Sequence, residues 1–165
     1  MTHTLIRIQG EQEGDITVFH ACTSTTRMAV TWGGILMTFW STQAVQSVLE
    51  AFAAARALTA PLMRRIPAPP TPPLEPFAVQ TIALDWTRGV SYAVLAREEL
   101  ARDRTRTLRW IDLHCGPCTW QILDQEGYAS ALELLRRAHR TAVHVFADGS
   151  THSDDPTLDD YRPRQ

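Results

Sequence analysis

The feature that most constrains the fold of this chain is an internal repeat with an offset of 83 residues. Met28 to Phe52 aligns with Ile111 to Leu135 without a gap, and the two stretches agree in residue class, with Gly33 on Gly116. Internal self-similarity of this kind predicts one supersecondary unit that is used twice. A length of 165 residues is enough for two small halves that share a core.

Each copy of the repeat predicts a β-hairpin with one apolar face. In the first copy, apolar residues alternate on both sides of Gly33-Gly34, and a Gly-Gly pair between alternating runs is typical of a two-residue hairpin turn. Pairing about this turn places Trp32 opposite Ile35 and aligns six apolar side chains, namely Met28, Val30, Trp32, Ile35, Met37 and Phe39. The second copy has its turn at Gly116-Pro117, and its face consists of Ile111, Leu113, Cys115, Cys118, Trp120 and Ile122. A face of this kind sets the register of a strand because it must be buried.

A helix is predicted after each hairpin, and two strands before it. Ser41 or Thr42 can cap the first helix and Asp124 the second, and an apolar stripe at helical spacing follows each cap. The preceding strands are expected at about Leu5–Gln9 and Ile16–Cys22 in the first half, and at about Phe77–Trp86 and Val90–Ala96 in the second. The charged segment Arg97 to Arg106 reads as a loop or a short helical turn. We therefore predict an α+β fold, a tandem ββββα repeat in which antiparallel sheets are each covered by one helix.

The predicted boundaries divide the chain into four parts. Residues 1–63 form the first ββββα unit, 64–76 a proline-rich connector, 77–147 the second unit, and 148–165 an acidic, disordered tail. Six prolines between Pro67 and Pro76 favour polyproline II, which at about 3.1 Å per residue spans roughly 30 Å. A flexible linker between independent halves is the alternative.

Composition limits the classes of protein to consider. The longest apolar stretch, Gly33 to Trp40, is interrupted by Thr38, and no segment approaches the roughly 20 apolar residues that span a bilayer. The first residues lack the basic and apolar regions of a signal peptide, so we expect a cytoplasmic protein with no membrane partner. The net charge is −2, and removal of the tail leaves a body with 13 acids and 14 bases. A nearly neutral body does not by itself indicate nucleic-acid binding.

The motif Cys115-Gly-Pro-Cys118 resembles the redox centre of thioredoxins. His20, Cys22 and His114 could join the two cysteines around zinc, although the spacing is unusual. The alternation after Cys118 instead favours a hairpin in which both cysteines are small buried apolar residues. We predict no metal, no cofactor and no catalytic residue, and keep a small zinc-binding or thiol-redox protein as the second alternative.

The opposite face of each hairpin is the predicted binding surface. It mixes tryptophan, arginine, histidine and short polar residues, a composition that suits base stacking combined with phosphate contacts. The alternative is that its tryptophans are buried against another sheet or a second subunit. The candidate nucleic-acid-binding residues on this surface are Trp40, Trp110, Arg27, His114 and Gln121, and Arg106 and Arg109 are added from the adjoining loop and strand.

The order of elements, ββββα repeated twice, resembles the architecture of the Whirly and PUR single-stranded nucleic-acid-binding proteins. The resemblance covers the chain up to about Phe146 and implies single-stranded DNA or RNA bound along the sheets, often by homo-oligomers. We therefore predict a non-enzymatic protein that binds single-stranded nucleic acid. The first alternative is a protein–protein interaction or adaptor module that acts as a homo-oligomer.

Overall fold

The structure, a computed structural model, describes residues 2–67 and 82–163. It is an α+β fold with two four-stranded sheets and two long helices. The strands of the first half are β1 (Thr4–Ile8), β2 (Gly14–Phe19), β3 (Arg27–Trp32) and β4 (Ile35–Phe39), followed by α1 (Thr42–Ala54) and a 3-10 helix at Ala55–Leu58. The strands of the second half are β5 (Ile82–Trp86), β6 (Tyr92–Leu100), β7 (Thr107–Cys115) and β8 (Cys118–Ile122), followed by α2 (Gln125–Val145).

Both predicted hairpins are confirmed in their register. In β3–β4, Trp32 pairs with Ile35 and Met28 with Phe39. In β7–β8, Cys115 pairs with Cys118 across the turn. The first turn residue is Gly33 in one hairpin (φ +56°) and Gly116 in the other (φ +58°), a backbone region that glycine enters without a Cβ penalty.

The first strand of each half pairs in the sheet of the other half. We call β2-β3-β4-β5 the first sheet and β1-β8-β7-β6 the second sheet. β1 runs parallel to β8, and β5 runs parallel to β4, so both sheets are mixed. The predicted antiparallel pairing is present in β2-β3-β4 and β6-β7-β8, but each sheet also includes a parallel strand from the other half, so neither sheet is contained within 1–63 or 77–147. Alternation in a short strand determines which face is buried, but it does not specify the neighbouring strand.

Both helices contribute to one core that the two sheets share. Trp32 of the first sheet stacks on Trp120 of the second, with ring centroids 5.0 Å apart, and Phe52 of α1 meets Trp120 edge-on at 5.5 Å. The helices run antiparallel, because the Tyr128 hydroxyl donates to the Phe52 carbonyl at one end and the Thr42 hydroxyl to the Ala142 carbonyl at the other. Each helix contacts strands of both sheets, so the prediction of one helix for each sheet agrees with the structure only loosely.

The predicted helix caps are confirmed, and the second one joins distant parts of the chain. The Ser41 side chain accepts a hydrogen bond from the amide of Ala44, and the Asp124 side chain accepts from Gly127. The buried carboxylate of Asp124 also accepts from the amides of Gly10 and Ile66. A single side chain therefore connects α2 to both ends of the first half.

The segment Arg97 to Arg106 is not a helical turn. β6 continues to Leu100, and a tight turn closed by a hydrogen bond from the Ala101 amide to the Arg106 carbonyl leads into β7. The β6–β7 ribbon extends beyond the body of the protein, and its distal residues are exposed on both faces.

The acidic segment 148–163 packs against the helices, which corrects the prediction of a disordered tail. Asp148 accepts hydrogen bonds from two amides at the start of α1, and the hydroxyl of Tyr161 donates to Glu50 at 2.6 Å. Thr157 is buried, and Asp155 is 3.4 Å from the guanidinium of Arg136. The carboxylates of Asp148 and Asp155, two of the acids that suggested disorder, are used as hydrogen-bond acceptors.

The predicted connector 64–76 lies outside the described residues from position 68 onward, and its polyproline conformation stays a prediction. Its first residues are tied to α2, because Met63 and Arg64 accept hydrogen bonds from the amides of Gln125 and Glu126. Within residues 2–67 and 82–163, neither helix has the length and apolar character required to cross a membrane.

Candidate functional site: the outer faces of the two sheets

The outer face of a sheet is here the face turned away from the shared core. None of the described helices or strands covers either outer face. Side chains alternate along each strand, so the inward register of the hairpins determines which residues point outward. The predicted surface thus corresponds to two outer faces that point away from each other.

The outer face of the first sheet carries an arginine between two aromatic residues. Arg27 of β3 pairs with Phe19 of β2, and its guanidinium lies 4.7 Å from the centre of the Phe19 ring. Trp40 lies one step past the Phe39–Met28 pair, next to Arg27 on the other side. Phe19 is 37% exposed and Trp40 is 44% exposed. This row therefore presents two accessible ring surfaces beside a cation.

The outer face of the second sheet is organised around Asp112. This carboxylate accepts hydrogen bonds from the indole of Trp110 and the guanidinium of Arg97, each at 3.0 Å, and from the amide of Gln121 at 3.4 Å. Asp112 is only 9% exposed, whereas Trp110 and Gln121 are half-buried. These hydrogen bonds hold the indole of Trp110 in place, so its orientation on this face is fixed before any ligand arrives.

His114 belongs to a second polar group on the same face. Its Nδ1 lies 2.7 Å from the hydroxyl of Thr119, and Nε2 of His3 lies 2.7 Å from the same oxygen. A hydroxyl has only one proton to donate, so at least one of the two imidazoles donates to Thr119. His114 therefore shares this face with Trp110 and Gln121, as the hairpin register requires.

Two of the predicted residues do not join this surface. Arg109 has the same strand parity as the core residue Ile111, so it points to the opposite side of the ribbon, where it is 3.5 Å from Glu98. Arg106 is exposed in the turn at the end of the ribbon. The seven candidates therefore separate into Trp110, His114 and Gln121 on the second sheet, Trp40 and Arg27 on the first, and two arginines on the ribbon.

The two outer faces match at one pair of opposite residues on neighbouring strands, which we call the rung. Arg27 and Trp110 occupy equivalent positions of the 83-residue offset, and their partners on the neighbouring strands are Phe19 and Arg97. Each sheet therefore places one arginine and one aromatic residue side by side at this rung, in opposite order.

Acidic side chains balance the arginines on both faces. The indole of Trp40 donates to Asp85 at 3.4 Å, and Asp15 lies on the outer side of β2. On the second sheet, Asp112 accepts from Arg97, so this cation is already paired. The local charge is therefore nearly neutral, in agreement with the net charge of the chain.

The cysteines of the Cys-Gly-Pro-Cys motif lie on the inner face of the second sheet, at the turn of a hairpin and not at the start of a helix. Cys115 and Cys118 are free thiols and are both buried. Burial, helped by the proximity of Cys118, raises the pKa of Cys115 to about 12, and burial also raises the pKa of Cys118. A reactive thiol needs the opposite shift. His114 points to the other face of the sheet, and no cluster of three metal-ligating side chains occurs in the described part of the chain.

The sequence reading missed three residues that shape these faces. Asp112 has the same strand parity as Trp110 and His114, so its position in the sequence is enough to place it on the outer face. Arg97 and Phe19 could not be found in the same way, because their place depends on the pairing registers of β6 and β2.

Comparison with known proteins finds no matching family model, no similar curated protein and no similar solved structure.

Proposed function

We propose that this protein binds single-stranded nucleic acid on the outer faces of its two sheets. The observation that supports this most is the rung at which each outer face aligns an arginine with an aromatic side chain. Aromatic faces accept any base by stacking, and an arginine beside the ring is placed to meet the adjacent phosphate. The pair recurs on both sheets, although Arg97 would have to exchange its contact with Asp112 for a contact with a phosphate.

The first sheet supplies the more accessible stacking surface. Trp40 and Phe19 are both exposed, and Arg27 lies between them. A base stacked on Trp40 would leave its phosphate close to Arg27, which would then exchange its contact with the Phe19 ring for a charge-assisted hydrogen bond.

The second sheet supplies side chains that could read base edges. Gln121 has a carbonyl and an amide, and His114 has a ring nitrogen that is not bonded to Thr119, so both offer hydrogen bonds on an open face. Trp110 is held by Asp112 through its indole nitrogen, and this leaves a face of the ring for stacking.

The charge balance limits the strength of binding. With two phosphate contacts, one at Arg27 and one at Arg97, a single strand is expected to lose roughly 7-fold in affinity between 50 and 200 mM salt. Because stacking depends little on salt, binding would persist at the higher concentration in weakened form.

We further interpret the chain as a duplication of a ββββα unit whose first strands are exchanged between copies. The support is the correspondence of β1 with β5, of the hairpins, and of the caps Ser41 and Asp124. The resemblance to Whirly and PUR proteins, and cytoplasmic residence, stay predictions.

The test is fluorescence anisotropy of the full chain with labelled single strands of dT and dA and with a duplex of the same length, at 50 and 200 mM salt. Trp40→Ala and Arg27→Ala are expected to weaken single-strand binding about 5- to 100-fold, in the range of one stacked base or one phosphate contact.

Leu158→Ala and Arg162→Ala are the matched controls. Each removes an exposed apolar or cationic side chain on the C-terminal segment, which packs against the helices and not on the outer faces. The proposal fails if no single strand binds at 50 mM salt, or if the control variants lose as much affinity as the outer-face variants.

A further inference from the structure

The longest free strand edge in the described part of the chain belongs to β6. This strand has nine residues, Tyr92–Leu100, and it pairs with β7 through all nine without a bulge. The other edge strands, β1, β2 and β5, have five or six residues. No described strand or helix pairs with the outer edge of β6.

β6 has little cover on either face. Eight of its nine residues are exposed, and Leu95 and Leu100 are 42% and 56% exposed. A long, regular strand without proline and with exposed leucines is a template for pairing with another chain. Natural proteins shorten, bend or cover such edges unless a partner uses them.

The hydrogen bonds that flank β6 show which main-chain groups are free. Ser91 accepts a hydrogen bond from the amide of Gly116 on the β7 side, and the amide of Ala101 donates to Arg106 on the same side. Inward and outward main-chain groups alternate in an antiparallel strand. The odd-numbered residues from 93 to 99 therefore bond to β7. The main-chain groups of Tyr92, Val94, Ala96, Glu98 and Leu100 point away from it.

This edge is complementary to itself. Ala96 is the central residue of the nine and has outward main-chain groups, so two copies of β6 can pair antiparallel about a two-fold axis at Ala96 and use the whole strand. In this register no two like charges are directly opposite, because Glu98 faces Val94, Glu99 faces Ala93, and Arg97 faces Leu95 of the second copy. A shift of the axis to Arg97 or Glu98 would place identical charges opposite each other, which is unfavourable.

We propose that the protein forms a two-fold homodimer in which the β6 strands of two copies pair about Ala96. The second sheets of the two copies then form one continuous eight-stranded sheet. About ten main-chain hydrogen bonds would form across this edge, the number found in a typical protein interface. The dimer does not depend on nucleic-acid binding, because the paired groups are main-chain atoms at the edge and not the outer-face side chains.

Sedimentation velocity of the full chain across a wide range of concentrations tests the dimer directly. The expected species has twice the monomer mass of 18.5 kDa. Ala96→Pro removes the central outward amide, which has no partner among residues 2–67 and 82–163 of the same copy, and proline is tolerated at such edge positions. The dissociation constant of the dimer is expected to be at least tenfold higher for this variant than for the wild type, whereas the melting temperature stays close to that of the wild type.

Two substitutions of opposite charge at Ala93 test the register without a change in the main chain. Ala93 is exposed and faces Glu99 of the second copy, so Ala93→Arg creates two ion pairs per dimer and Ala93→Glu creates two repulsions. The dissociation constant of Ala93→Glu is expected to exceed that of Ala93→Arg by about tenfold or more. A wild type that remains monomeric, an Ala96→Pro variant that still dimerises as tightly, or equal dissociation constants for the two Ala93 variants would each overturn the proposal. Oligonucleotide binding by the same samples is measured separately, so failure of one proposal does not imply failure of the other.

Discussion

Replacement of Asp148 by asparagine should destabilise the protein through the start of α1, although the residue lies more than 100 positions away in sequence. Oδ1 of Asp148 accepts from the amide of Thr42 at 2.9 Å, and Oδ2 accepts from the amide of Gln43 at 3.0 Å. Ser41 accepts from the next amide, of Ala44. Two side chains therefore satisfy the first three free amides of α1, which otherwise have no partner within the helix.

Asparagine keeps one acceptor oxygen but loses the second acceptor and the negative charge. The loss of one hydrogen bond and of the favourable interaction with the helix dipole is expected to cost about 1–2 kcal/mol, with allowance for the partial exposure of Asp148. In a chain of this size, that lowers the melting temperature by about 2–8 °C. Urea unfolding followed by circular dichroism measures the free energy directly.

The pH dependence of this difference provides an independent check. Burial acts to raise the pKa of Asp148, but the hydrogen bonds from Thr42 and Gln43 lower it by more, and the net shift is downward. A depressed pKa means that the stabilisation is present above the unfolded-state value of about 3.9 and is lost as the pH falls through the lower folded-state pKa. The stability difference between wild type and Asp148→Asn should therefore be constant near neutrality and decrease in acid.

Asp159→Asn is the matched control. It makes the same chemical change eleven positions further along the same acidic segment, at an exposed carboxylate. If Asp148→Asn and Asp159→Asn have equal unfolding free energies at pH 7, the segment does not clamp α1 and the physical argument is refuted.

Three further outcomes follow from burial and hydrogen bonding. In the native protein only Cys22, which is exposed, should react rapidly with a thiol reagent. Cys115, whose thiol pKa is about 12, and its buried hairpin partner Cys118 should react only after unfolding. Rapid reaction of more than one thiol in the native protein would contradict this prediction. Trp120→Ala should cost about 3–5 kcal/mol in urea unfolding, because the ring is fully buried between the sheets, and a loss below 1 kcal/mol would show that the sheets do not meet there. Glu50→Gln should lower the pKa of Tyr92, because burial and then the hydrogen bond to Glu50 raise this pKa to about 12. Ultraviolet titration of tyrosinate measures the pKa, and an unchanged value in the variant would contradict the prediction.

The local elements of this fold were predictable from sequence because short-range physics determines them. Apolar alternation about Gly33 and Gly116 specifies both the turn and the buried face of each hairpin. Ser41 and Asp124 mark the helix starts because only a few side chains can accept from free amides at those positions. These features need no knowledge of the rest of the chain.

The exchange of β1 and β5 was not predictable in the same way. Ile6 and Ile8 point into the core beside Trp120 and Ile122, but the same alternation would be satisfied beside any strand with an apolar inner face. The choice between a sheet within one half and a sheet across both halves depends on the free energy of the complete core. A pattern confined to five residues does not contain that information.

The tail was mispredicted for a related reason. Aspartates, which are typical of disordered segments, here accept hydrogen bonds from Thr42, Gln43 and Thr157. Composition measures the cost of burying a segment but not the partners that offset it. The outer faces fall between these cases. Parity predicts that Trp110, His114 and Gln121 share a face, as they do, but it does not show that Arg109, on the adjoining strand, points to the other side of the ribbon beside Glu98.

Under the proposed function, the strand that each half contributes to the other sheet affects how the two outer faces would act together. Each sheet contains one strand from the other half, and Asp124 fastens α2 to Gly10 and Ile66. Separation of the halves would therefore remove an edge strand from both sheets and leave their shared core, where Trp32 stacks on Trp120, exposed to water. A single strand that occupied both outer faces would bind to two surfaces whose relative placement the fold fixes, so the second contact would not carry a separate entropic cost for ordering the protein. Under the proposed function, two nearly neutral faces would in this way give together an affinity that neither face would provide by its charge alone.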